Sequence, residues 1–277
     1  MTAPYANIAY APMTLEYDRD RFVYEYDRYI LPRSRPIYNS IGIRNAGLEL
    51  NQQWGMIDPE IYSQQNVTLS KSWNDRLQTG GSVENLGNPS WLQAIMTQMV
   101  TLESDDKSLK EAGTYGRLAA RNFAPEREWK LKEEFSCLNL EIVDFIYKRL
   151  CLSRVVWINC VSLEPGRCAI IHRDNMPLYS DRPNPTMNNS LANNGYVVVT
   201  LNITNGGVPL YWSLDDRVVR FIDDSAYLSS DYFLHGVPVV TGRRRQIRIT
   251  GVPGEGFDNF IDRSRAVILP DNYQYIG

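Results

Sequence analysis

Residues 154–175, RVVWINCVSLEPGRCAIIHRDN, decide how the chain is to be read. Two runs rich in Val and Ile, 154–163 and 167–173, flank the turn signal Glu164-Pro165-Gly166, and the apolar residues follow a period of two rather than 3.6. The same texture returns at 195–204, 217–222, 231–234 and 243–250, with clusters of Pro, Gly, Asn and Asp between the runs. Short strands at this spacing predict a mainly β sandwich or barrel with flanking helices.

Upstream of residue 154 the texture differs. Trp91, Leu92, Ile95, Met96 and Met99 follow a cap signal at Asn88-Pro89-Ser90, and their spacing predicts a helix over 90–103. Between Pro125 and Leu150 an apolar stripe of Phe135, Leu138, Ile142, Phe145, Ile146 and Leu150 runs through a charged segment, which predicts an amphipathic helix laid against the sheet. Residues 1–90 are rich in Tyr, Asn, Gln, Asp and Arg and read as loops and short strands wrapping a core. The expected organisation is one domain over 1–277, with 1–150 as an extension carrying the buttressing helices and 151–277 as the β core.

Composition narrows the class. Hydrophobic residues at 43% and charged residues at 22% are ordinary for a globular protein, and no apolar run approaches the ~20 residues that span a bilayer. The first residues, MTAPYANIAYAPM, have neither a basic region nor a continuous apolar core of the secretory type, so a cytoplasmic location without membrane partners is expected. A formal net charge of −3 supplies no general attraction to nucleic acid. Cys137, Cys151, Cys160 and Cys168 form no CxxC pair and read as buried free thiols.

Chemistry is most legible in the histidines. The whole chain has two, His172 and His235, each at the end of an apolar run. Asp174 follows His172 by two residues, so in extended backbone the imidazole and the carboxylate share a face. A second strand bringing in His235 would complete the two-His, one-carboxylate set of non-haem iron oxygenases, which leaves coordination positions open for substrates. Alone, an HxD pattern is common and is usually hydrogen-bonded structure; its order, before a distal His and a basic strand, gives it weight.

That basic strand is GRRRQIRITG, 242–251. Alternation puts Arg245 with Ile247 and Ile249 on the apolar face, and Arg244, Gln246 and Arg248 on the other. A buried Arg245 needs a carboxylate partner, either an internal Asp or Glu or a bound dicarboxylic co-substrate. Arg243, Arg244 and Arg248 are expected on a solvated face. The 177–194 loop, with Tyr179, Tyr196, Tyr211 and Trp212, is a candidate enclosure for a substrate, although ordinary packing explains each aromatic equally well.

Together WINCVSLEPGRCAIIHRDN, YVVVTLNITN and FLHGVPVVTGRRRQIRITG resemble the aspartyl/asparaginyl β-hydroxylase-like branch of the Fe(II)/2-oxoglutarate oxygenases, which includes free-proline hydroxylases. The resemblance covers about residues 154–251. It implies a double-stranded β-helix of jelly-roll or cupin-like form, with Fe(II) and 2-oxoglutarate as cofactors. It also implies His172, Asp174 and His235 as iron ligands and Arg245 on the far carboxylate of 2-oxoglutarate. The implied reaction is hydroxylation of an unactivated C–H with O2, on an amino-acid side chain that is free or in a polypeptide. YVVVTLNI lacks the second Arg common on that strand in the branch, which implies a different substrate or co-substrate contact. A nucleobase oxygenase, a non-catalytic β-helix binding protein and a zinc hydrolase are the alternatives. No HExxH-type carboxylate supports the last.

Overall fold

Apolar residues at alternate positions from residue 152 onward give a chain that must cover both faces of its strands, and two sheets and a set of helices do so. The computed structural model describes residues 5, 7–38, 93–102, 129–166, 169–172, 195–214, 218–229, 234–237 and 240–269. Strands in the first half are β1 (Ile8–Pro12), β2 (Arg35–Tyr38), β3 (Gln93–Gln98), β4 (Val100–Leu102) and β5 (Trp129–Leu131). The second half adds β6 (Leu152–Leu163), β7 (Ala169–His172), β8 (Val197–Asn205), β9 (Leu210–Leu214) and β10 (Val218–Ile222). It continues with β11 (Ala226–Ser229), β12 (Leu234–Val237), β13 (Arg244–Pro253) and β14 (Val267–Ile268).

An eight-stranded sheet runs β14-β1-β11-β8-β13-β6-β3-β2 and a four-stranded sheet runs β10-β9-β12-β7. From β6 to β13 the chain distributes β6, β8, β11 and β13 to the larger sheet and β7, β9, β10 and β12 to the smaller. This is the topology of a double-stranded β-helix, as expected. Strands from the first 150 residues extend the larger sheet at both edges, β1 pairing with β11 and β3 with β6.

The larger sheet is covered twice. On one face Val199, Leu201, Ile203, Ile247 and Ile249 pack with Phe22, Tyr26 and Ile30 of α1 (Arg19–Glu25) and its continuation, a π turn over Tyr26–Ile30 and a 3-10 turn over Leu31–Arg33. Asp18 caps α1, its side chain accepting from Arg21 N at 2.9 Å. Two short helices, α2 (Glu133–Ser136) and α3 (Glu141–Asp144, continued as a π turn over Phe145–Arg149), bring Phe135, Ile142, Phe145 and Ile146 to the same core. The single helix expected over 125–150 is therefore broken. Asn139 takes a φ of 47°, a left-handed conformation in which a helix cannot continue, while residues 129–131 form β5.

Fully buried Glu25 joins the helices. Its carboxylate accepts from the backbone N–H groups of Glu141 and Ile142 at 3.0 Å each and pairs with Arg21 at 2.8 Å, satisfying two donors that the first turn of α3 leaves open. On the other face of the sheet a second core lies between the sheets. Tyr10, Leu163 and Tyr227 contribute from the larger sheet, and Leu210, Trp212, Ile222 and Val237 from the smaller.

Two further expectations are corrected. Residues 93–98 and 100–102 are strands, not a helix: β3 lies antiparallel to β6, with Ile95 opposite Ser162 and Thr97 opposite Cys160. Backbone pairing to an available strand overrides a helical spacing of apolar residues. Trp91, Leu92 and the cap signal lie outside the described residues. Of the cysteines Cys160 is buried, Cys151 intermediate and Cys137 exposed, all as free thiols; Cys168 lies outside the described residues. The strand expected at 231–234 overlaps β12 (Leu234–Val237) at its last residue; residues 231–233 lie outside the described residues. Among the described residues no helix is long and apolar enough to cross a membrane.

Candidate functional site

Strand β12 is short, and its pairing places the distal histidine. His235 stands opposite His172 across the β12–β7 pair and opposite Trp212 across the β12–β9 pair. Trp212 in turn stands opposite Arg220 of β10. A row of four positions, His172–His235–Trp212–Arg220, thus crosses the smaller sheet. Trp212 belongs to the core between the sheets and its ring lies 5.8 Å from that of Tyr10, so this row faces the larger sheet. Of the three expected metal ligands the structure pairs two in register; Asp174 lies outside the described residues. Positions directly opposite across an antiparallel pair share a face, with Cβ atoms about 4.5–5.5 Å apart. Two imidazoles at such positions fit the donor set of a two-His, one-carboxylate centre, with the carboxylate two residues further along the chain.

The basic strand divides as its alternation predicts, but its faces carry different partners from those expected. Arg245 shares its face with Ile247 and Ile249, and that face is the one covered by the α1 segment. Its guanidinium forks onto Asp27, Nε donating to Oδ1 at 2.8 Å and Nη2 to Oδ2 at 2.6 Å, with Nη1 donating to Thr204 Oγ1 at 3.2 Å. An internal aspartate is thus the partner of Arg245. This corrects the expectation that its fork stands ready for a bound co-substrate. Burial raises the Asp27 carboxyl, but the hydrogen bond from Arg245 and the charges of Arg245 and Arg243 outweigh it and hold the group below the usual carboxylate range. Arg243 pairs with Glu164 at 2.8 Å and reaches Asp27 at 3.5 Å.

Arg244 is the second correction. Expected in solvent, it is only 2% exposed, because the face opposite Arg245 looks across to the smaller sheet. Nη1 donates to the carbonyl oxygens of Asn205 and Val208 at 3.1 and 3.2 Å, and Nη2 to Asn202 Oδ1 at 3.1 Å. All three acceptors are neutral, Nε has no hydrogen-bond partner, and no carboxylate among the described residues pairs with this arginine. Burial lowers its affinity for the proton.

The end of the barrel at Arg244 is closed by the turn after β8. Gly206 and Gly207 take φ of 71° and 82°, and a Cβ on Gly207 would come within 2.2 Å of Thr241 Oγ1. Gly206 O accepts from the N–H groups of Thr241 and Gly242, which pins this turn to the loop before β13.

Further along the same face Gln246 donates to Asn202 Oδ1 at 3.1 Å and to the Tyr227 hydroxyl at 3.3 Å. Arg248 is half-buried and stands opposite Asn159 of β6 and Thr200 of β8. Of Asn202, Gln246, Tyr227 and Asn159, only Gln246 is singled out by the sequence, as part of the face opposite Arg245; the other three are not. The signal was there in β8, where Val197, Val199, Leu201 and Ile203 alternate with Val198, Thr200 and Asn202. A polar alternate face normally means solvent.

Tyr196, Tyr211 and Trp212 are buried. The 177–194 loop and Tyr179 lie outside the described residues.

No protein-family model matches the chain, and no curated protein does. Among solved structures it is similar to a prolyl-4-hydroxylase of Pseudomonas putida, at 12% identity over 69% of this chain and 87% of that one, with a TM-score of 0.29. It is also similar to an oxidoreductase of the 2OG-Fe(II) oxygenase family from Burkholderia pseudomallei, at 10% identity over 60% and 70%, TM-score 0.33. A cupin domain from Bordetella pertussis matches at 13% identity over 35% and 80%, TM-score 0.22. Likenesses at these scores carry no argument about activity, which rests on the chain's own residues.

Proposed function

We propose that the protein is an Fe(II)- and 2-oxoglutarate-dependent dioxygenase that hydroxylates an unactivated C–H of an amino-acid substrate, with His172, Asp174 and His235 as iron ligands. The observation that carries this reading is the register of β7 and β12, which sets the only two histidines of the chain directly opposite one another inside a double-stranded β-helix.

When bound, iron with 2-oxoglutarate and O2 would supply the oxidising power for breaking a C–H bond. The protein's residues bind and orient. Arg244 takes the role expected of Arg245: it lies nine residues after His235, on the face toward the smaller sheet, at the closed end of the barrel. A buried guanidinium served only by neutral acceptors is costly until an anion joins it, and a planar fork suits a carboxylate. Trp212, Tyr10 and Tyr227 wall the interior on the side away from His172, where they exclude water from the reacting atoms.

Anaerobic addition of Fe(II) and 2-oxoglutarate tests the proposal through the weak visible charge-transfer band of the chelate. Wild type should give the band, His235→Ala should lose it, and Arg244→Met should need far more 2-oxoglutarate to reach it. A wild-type protein that gives no band at any concentration would refute the oxygenase reading.

A further inference from the structure

The interior of the barrel carries a line of aromatic rings that starts beside the distal histidine and ends at a carboxylate near the surface. Trp212 stands opposite His235 across the β9–β12 pair, so the two share a face with Cβ atoms about 4.5–5.5 Å apart. The Trp212 ring lies 5.8 Å from that of Tyr10, and both residues are buried. The Tyr10 hydroxyl donates to Asp224 Oδ2. Asp224 sits in the connection between β10 and β11, its side chain 25% exposed, and its other oxygen accepts from Arg265 at 3.0 Å.

Packing accounts for aromatic rings in a core. It does not call for a carboxylate on the hydroxyl of a buried phenol, where any neutral acceptor would serve. The chemistry of oxidation does. Indole and phenol are readily oxidised by one electron, but a phenol that loses an electron becomes a very strong acid, so its proton must leave at the same time. Asp224 stands where that proton would go. Arg220 enforces the coupling: its guanidinium lies 5.7 Å over the Tyr10 ring, where a cation favours an electron-rich ring and opposes a positively charged one. Burial, and then the hydrogen bond to Asp224, raises the pKa of Tyr10, so the phenol holds its proton at rest.

We propose that Trp212 and Tyr10 form an electron relay that discharges an oxidised iron centre when no substrate is at hand. One electron passes from Trp212 to a one-electron oxidant of the iron–O2 class held at the histidine pair, and one from Tyr10 refills Trp212. The Tyr10 O–H bond breaks in that step and its proton moves to Asp224 Oδ2. The balance is a neutral phenoxyl, a protonated carboxyl and iron reduced by one electron. A donor in solution such as ascorbate then restores the phenol with one electron and one proton. The relay rests on the oxygenase reading for its oxidant, and it spends that oxidant on a ring that can be restored rather than on the residues around the metal.

Two measurements on the full-length protein test this, neither of them read by turnover. In the first, the anaerobic Fe(II)–2-oxoglutarate protein is mixed with O2 without substrate and freeze-quenched for electron paramagnetic resonance. Wild type should give a tyrosyl signal that narrows when the protein is made with ring-deuterated tyrosine. Tyr10→Phe, which keeps a ring in the core, should lose it, Asp224→Asn should lose most of it, and Tyr227→Phe should retain it. In the second, an ultraviolet flash oxidises tryptophan in the metal-free protein. Part of the tryptophan radical should decay into tyrosyl absorption, a part that Tyr10→Phe and Trp212→Phe each remove. Thermal melts establish that each variant is folded. A tyrosyl signal that survives Tyr10→Phe in either measurement overturns the relay, as does its absence from a wild-type protein that forms the iron–2-oxoglutarate band. A protein that never gives the band loses the oxygenase reading, and the flash measurement alone then decides the step between Tyr10 and Trp212.

Discussion

Arg244 and Arg245 are neighbours on one strand and live in different surroundings. Arg245 points to the helix-covered face, where Asp27 fills its fork, whereas Arg244 points between the sheets and meets only neutral oxygens. The first is a fastening, joining the α1 segment to the sheet. The second is a charge whose compensation is not among the described residues. In a sheet covered on both sides, alternation sorts residues between two interiors, and the partner of each charge then shows which interior is built for a ligand.

Substituting each arginine sharpens that contrast. Arg244→Met should raise the 2-oxoglutarate concentration for half-maximal band formation about a hundredfold or more, the range for removing one partner of a buried charge pair. Arg245→Met should leave that concentration within a few-fold of wild type. If the two variants exchange these effects, the assignment of faces is wrong.

Glu25 gives the next largest effect, on stability. Its buried carboxylate serves two backbone donors and Arg21, so Glu25→Leu should cost about 2–4 kcal/mol in a denaturant titration. A cost below ~1 kcal/mol would mean that α3 is held by its apolar face alone. Arg245→Met should cost less, about 1 kcal/mol, because Asp27 is partly exposed and keeps Arg243 nearby.

Sequence and structure agree where one physical signal dominates. The core strands β6, β8, β10 and β13 were legible because β-branched alternation and Pro/Gly punctuation point the same way, and the resemblance supplied the order of the sheets. The expected pairing of two histidines from separate strands is found in the register. Residues 93–102 were misread because apolar spacing over ten residues fits a helix as well as a strand, and the deciding factor was a long-range partner, β6. Arg244 was misread for a different reason. A polar alternate face on Thr200, Asn202, Gln246 and Arg248 looks the same whether it meets water or a second sheet, and only the position of β9 and β12 distinguishes the two. Asp27 and Glu25 were not legible at all, since their partners lie 218 and 116 residues away.

The smallest effect separates the two faces by pH. With Asp27 held below the usual carboxylate range by Arg245, its contribution to stability is complete above the unfolded-chain value near 4 and is lost as pH falls through the lower folded value. Asp27→Asn should thus be less stable than wild type at pH 7 and pH 5, and the gap between their urea midpoints should close as the pH is lowered below about 4. The same titration on Arg244→Met should show a pH-independent gap over this window, since no carboxylate among the described residues pairs with Arg244. A gap for Asp27→Asn that stays constant down to pH 2.5 would mean that the Asp27–Arg245 fork contributes through geometry alone, and the two faces of β13 would then differ in packing and not in charge.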